Sequence, residues 1–131
     1  MSQIFHACSL ANSFAIAACC ANGWPCSLSH AARNVISAAG YGPDYKYFTH
    51  RVGHGIGMDM HEWPYFVKNN MYGYDPDPHL KPGTLLSDEP GIYIRGEFGV
   101  RLEDDLLITE SGAELLTPQS PSLEDPFGNM E

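Results

Sequence analysis

Three histidines fall within a dozen residues in the run His50-Arg-Val-Gly-His54-Gly-Ile-Gly-Met-Asp-Met-His61-Glu-Trp-Pro. Two acidic segments follow, Ser87-Asp-Glu89-Pro-Gly-Ile-Tyr and Gly99-Val-Arg101-Leu-Glu103-Asp-Asp. An isolated histidine is ordinarily a hydrogen-bonded structural residue, and His6, His30 and His79 are read that way. Imidazoles bracketing a Gly-Ile-Gly loop, with paired glutamates downstream, instead point to a metal-like or catalytic site. Gly53, Gly55 and Gly57 exclude a regular helix through His54, so the spacing of four from His50 is not the helical pair of zinc proteases. Those glycines would let backbone approach a bound group closely. Between the glutamates lies an alternating strand, a turn at Gly96 and a second strand. If the hairpin turns at Gly96, residues whose numbers sum to twice ninety-six face each other, as Glu89 and Glu103 do. Opposed carboxylates repel across a strand pair, so a cation is expected between them.

The elements that must carry these groups are legible in outline. The chain has 131 residues, a length for one domain with apolar content sufficient for a core. Its formal net charge of −9 argues against nucleic acid or an anionic membrane surface as the main partner. No apolar run is long enough to span a bilayer. Residues 3 to 21 read as a helix with Ile4, Ala7, Cys8, Ala11, Ala15 and Ala18 on one face. No lysine or arginine precedes Arg33, so the charged start of a secretory signal is missing. A second helix is expected from about Ser29 to Ala39, capped by Ser27 or Ser29, with Ala32, Val35, Ile36 and Ala39 inward. Gly40-Tyr-Gly-Pro43 stops it, and Tyr45 to Thr49 extend as a short strand delivering His50. Residues 68–79 read as a solvated loop, Thr84 to Ser87 as a strand, and Leu106 to Thr109 as the continuation of the strand after Glu103. Ser111-Gly112 then turns into Glu114-Leu-Leu. From Pro118 the chain reads as coil without a core of its own. Cys8, Cys19, Cys20 and Cys26 lack zinc-knuckle spacing and are read as reduced, buried small hydrophobes of a cytoplasmic protein.

The segments Gly-His54-Gly-Ile-Gly, His61-Glu-Trp-Pro, Asp-Glu89-Pro-Gly-Ile-Tyr and Arg101-Leu-Glu103-Asp resemble the C-terminal part of the pita-bread metallopeptidases. That family includes methionine aminopeptidase, aminopeptidase P, prolidase and creatinase. The wording is most similar to its Xaa-Pro peptidases, and the similarity extends back through Pro25-Cys-Ser and Ala32-Arg-Asn-Val-Ile. The resemblance implies that His54, Glu89 and Glu103 are metal ligands. It makes His50 and His61 substrate-side catalytic histidines, and Glu89 also the proton carrier to the leaving nitrogen. Arg101, two residues before Glu103 on the same strand face, is expected to pair with a site carboxylate or the substrate. The family's metal pair is also held by two aspartates on strands upstream of the first helix. This chain's first aspartate is Asp44, and Asp59 lies inside the histidine motif, so neither matches.

The resulting expectation is an α+β, partial pita-bread fold: two N-terminal helices packed on a curved, mainly antiparallel sheet. Residues 1–117 would form the truncated catalytic domain and 118–131 a coil tail. The implied activity is metal-dependent hydrolysis of Xaa-Pro peptide bonds, with the chain itself an inactive fragment for want of the aspartates. Two divalent ions would serve the complete domain, manganese first, with cobalt or zinc as alternatives. The implied partner is a peptide with proline at its second position, and a homodimer is compatible. The competing readings are a non-catalytic pita-bread binding module and creatinase-like hydrolysis without metal. Retention of His54, Glu89 and Glu103 disfavours both.

Overall fold

The computed structural model describes residues 1–22, 25–67 and 80–128, with the backbone alone for 18–22 and 25–27. Helix α1 spans Ser2–Asn22 and α2 spans Pro25–Ile36. Ile4, Ala7, Cys8, Ala11 and Ala15 of α1 are buried, as the spacing predicts. Small side chains on this stripe let α1 lie close to α2, whose Leu28, Ala32 and Ile36 join the same core. The second helix begins earlier than its serines imply. Pro25 occupies the first helical position, where its missing N–H costs nothing. Ser29 is buried inside the helix and caps nothing. A wide helical turn, Ser37–Tyr41, follows, and Gly40 ends it with φ at 90°. Val35 is half-buried and Ala39 exposed, so the apolar stripe stops a turn short of the expectation.

Among the described residues seven strands follow: β1 His54–Gly55, β2 Glu62–Tyr65, β3 Leu85–Asp88, β4 Gly91–Ile94, β5 Phe98–Arg101, β6 Asp104–Thr109 and β7 Gly112–Leu115. Five form a sheet in the order β2-β1-β3-β6-β7, and β4 and β5 pair as a separate hairpin. Every pairing among the described residues is antiparallel. Leu86, Leu106 and Ile108 turn their side chains into the core, where Phe48, Val52, Phe66 and Ile92 also sit.

Two expectations need correction. Tyr45 to Thr49 do not form a strand. Arg33 donates to the carbonyls of Asp44 and Phe48, at 3.2 and 2.7 Å, and to that of His50. Those acceptors are thereby taken by one side chain, and the segment folds as a loop around it. Its guanidinium also lies 3.7 Å from the centre of the Tyr45 ring and 4.3 Å from that of Phe48. Nor does β6 simply prolong β5: Leu102 and Glu103 lie between them, and β6 leaves the hairpin to pair with β3. The loop reading of 68–79 and the histidine at 79 lie outside the described residues. Residues 118–128 carry no helix or strand, although Gln119 donates to Asn12 at 2.6 Å.

Candidate metal centre

The β4–β5 ladder pairs Gly91 with Arg101, Ile92 with Val100, Tyr93 with Gly99 and Ile94 with Phe98. Each pair sums to twice ninety-six, and Gly96 turns with φ at 83°. The register continues one step as Leu102 N donates to Pro90 O at 3.3 Å. Glu89 and Glu103 are therefore the next pair.

His54 arrives from the other sheet. Backbone bonds tie its segment down on both sides: Val52 N to Phe66 O at 3.1 Å, Phe66 N to Gly53 O at 3.0 Å and Glu89 N to Val52 O at 2.7 Å. A Cβ on Gly53 would stand 1.9 Å from the Ser87 carbonyl oxygen, and one on Gly55 2.3 Å from that of Trp63. These glycines thus let strand approach strand.

The outcome is one cluster. His54, Glu89 and Glu103 offer ligand atoms that all lie within 4.8 Å of one another, the one such group of three or more among the described residues. His54 Nε2 is 3.3 Å from Glu89 Oε1. Nδ1 of His54 lies 2.8 Å from the Gly55 carbonyl, which only accepts, so Nδ1 carries a proton and Nε2 is the nitrogen turned towards the glutamates. Ser87 Oγ accepts from His54 N at 3.1 Å and donates to Glu89 Oε1 at 3.5 Å. Two carboxylates and one imidazole, preoriented in this way, fit a hard or borderline divalent ion.

Arg101 stands between the glutamates, with Nη1 3.5 Å from Glu89 Oε2 and Nη2 3.3 Å from Glu103 Oε2. His54 and Glu89 are buried, whereas the Glu103 and Arg101 side chains are 42% and 49% exposed, so the cluster opens to solvent on the β5 side. Burial first, and the Glu89 charge second, push the Glu103 carboxyl above its ordinary range.

The remaining two histidines are placed differently. His61 is exposed, its ring packed edge-to-face on His54 with centroids 4.6 Å apart. His50 is half-buried, with Nε2 2.8 Å from the Tyr93 hydroxyl and Nδ1 2.6 Å from the Arg51 carbonyl. Burial chiefly lowers its pKa, opposed by the Arg51 carbonyl and Glu89. Tyr93, Ser87 and Arg33 were not evident from the motifs. Tyr93 had a signal, since residues 89, 91 and 93 alternate onto one strand face; Arg33 had none, because its carbonyl partners carry no side-chain signature.

A model of metallopeptidase family M24 matches residues 1–110. An uncharacterized peptidase of Staphylococcus saprophyticus is 46% identical over 86 residues, which are 66% of this chain and 22% of that protein. Among solved structures, a dipeptidase from Pyrococcus horikoshii superposes with a TM-score of 0.75 at 39% identity, covering 89% of this chain and 30% of that one. Prolidase from Pyrococcus furiosus gives 0.75 at 40% identity, covering 88% and 32%. X-Pro aminopeptidase from Thermotoga maritima gives 0.75 at 34%, covering 88% and 30%. The chain thus spans about a fifth of the length of the curated relatives it matches. The two helices and the antiparallel strands make an α+β, partial pita-bread fold, and the chain belongs to metallopeptidase family M24.

Proposed function

We propose that this chain carries part of the catalytic centre of a divalent-metal Xaa-Pro peptidase of aminopeptidase P or prolidase type. The convergence of His54, Glu89 and Glu103 carries the reading. The neighbours named prolidase and X-Pro aminopeptidase support a peptide with proline at its second position as the substrate. His54 Nε2, Glu89 and Glu103 would hold the ion, with manganese the preferred metal. When bound, the metal supplies a hydrolytic nucleophile at neutral pH and polarises the scissile carbonyl. Glu89, buried beside His54, would take the proton and pass it to the leaving nitrogen. His61 and His50 would steady the carbonyl and the developing oxyanion. Arg101 would hold both carboxylates in place until the ion does so.

No aspartate joins the three ligands among the described residues. We therefore read the chain alone as a weak one-metal binder that does not turn over Xaa-Pro peptides, and the longer enzyme as the cytoplasmic catalyst, with a homodimer compatible. The test titrates this chain with Mn²⁺ calorimetrically beside a full-length M24 peptidase, and assays both on a Xaa-Pro dipeptide. His54→Ala should abolish binding and His61→Ala should leave it nearly intact. In the full-length protein, alanine at the histidine aligned with His61 should slow turnover roughly 10²-fold, the scale of one positioned proton or oxyanion partner. Equal metal loss in both variants, or two metals and full activity in the short chain, would overturn these assignments.

A further inference from the structure

We infer that Tyr93 is a positioning residue for His50, and that positions 91 and 99 are glycine so that its ring can lie flat along the hairpin. The inference rests on reading His50 as a substrate-side histidine. Neither glycine is demanded by its backbone, since Gly91 and Gly99 are not among the positive-φ residues. Both are demanded by the ring. A Cβ on Gly91 would stand 2.5 Å from the Tyr93 hydroxyl oxygen, and one on Gly99, its cross-strand partner, 2.6 Å from Tyr93 Cδ1. The phenol therefore covers two positions that any other side chain would fill.

Lying there, its hydroxyl reaches His50 Nε2 at 2.8 Å and also meets Arg101. The polarity of this contact is fixed by the Arg51 carbonyl. Arg51 O only accepts, so His50 Nδ1 carries the ring proton and Nε2 must accept. The Tyr93 hydroxyl is therefore the donor to Nε2. The backbone reinforces the contact, with Tyr93 N donating to Tyr47 O at 2.9 Å and so tying β4 to the loop that ends at His50. Tyr93 thereby holds one ring orientation of His50, completes the tautomer that the Arg51 carbonyl sets, and places the ring beside the guanidinium that spans Glu89 and Glu103.

Nitrogen-15 NMR of the histidine rings in this chain tests the coupling without any need for turnover. The expected wild-type result is a single Nδ1–H tautomer for His50 and a slowly exchanging Tyr93 hydroxyl proton correlated with Nε2. Tyr93→Phe keeps the ring and its packing. It should lose the hydroxyl signal and shift the Nε2 resonance towards that of an acceptor without a donor, with Mn²⁺ affinity within about threefold of wild type. Gly99→Ala should cause the same shift with the hydroxyl chemically intact, because it displaces the ring. Unchanged His50 resonances in Tyr93→Phe would overturn the proposal even if Gly99→Ala fails to fold. Equal Mn²⁺ loss in His54→Ala and His61→Ala would count against the proposed function and leave this coupling standing.

Discussion

Asp88 is fully buried, and neither of its carboxylate oxygens has a hydrogen-bond partner. Burial, then the Asp104 charge directly across the ladder and that of Glu89, push its pKa well above the ordinary value of 3.8. A carboxyl raised in the folded state holds its proton longer there than in the unfolded chain. Its contribution is fully present below the unfolded pKa and is lost as pH rises through the folded one. Asp88→Asn should therefore raise Tm at pH 8 by a few degrees, the effect of about 1 kcal/mol in a domain of this size. Thermal melts from pH 5 to 8 should also lose part of their pH dependence; a variant melting lower at pH 8 would contradict this account. Glu89 and Glu103 were legible from the sequence because a two-residue period and one glycine turn fix which side chains meet. Asp88 was not, since burial of a charged residue without a partner is a property of the packed sheet rather than of any motif.

At the level of elements, β1 is only two residues long, yet it sits between β2 and β3 in the sheet. Its position depends on Gly53 and Gly55, which admit the Ser87 and Trp63 carbonyls where side chains would otherwise stand. Gly53→Ala should cost about 1–3 kcal/mol, the range for overpacking. Because the displaced carbonyl belongs to the strand that leads into Glu89, Mn²⁺ affinity should also fall by at least about tenfold. Urea denaturation and calorimetry read the two effects, and normal affinity in a destabilised variant would separate packing from the site. The helix stripes were legible because alanine and isoleucine recur at helical spacing. The aromatic stretch Tyr45 to Thr49 misled because its composition suits a strand. What decided against one was a single buried arginine from α2 taking up the loop's carbonyls, a long-range event that local propensity does not encode.

Across the whole molecule, α1 is bound to distant parts of the chain. Asn12 donates to the Asp88 carbonyl at 3.2 Å and accepts from Gln119 at 2.6 Å, while Thr117 donates to Asp104 at 3.3 Å. Deleting residues 118–131 removes the Gln119 bond and should lower stability by about 1 kcal/mol, the usual net value of one hydrogen bond. Mn²⁺ binding should survive, and its loss would make the tail part of the site. The hairpin register carries a further consequence, one for insertions and deletions. Added residues at the exposed tip around Gly96 lengthen the turn and leave the strands paired as before. One residue added between Val100 and Arg101 slips the strand by one, which turns Glu103 to the opposite face while Glu89 stays. Two glycines inserted after Gly96 should therefore leave Mn²⁺ affinity within about threefold, whereas one alanine inserted after Val100 should abolish it. By this reasoning, length variation in the hairpin is confined to its tip, and the segments from Glu89 to Ile94 and from Phe98 to Glu103 have an invariable length.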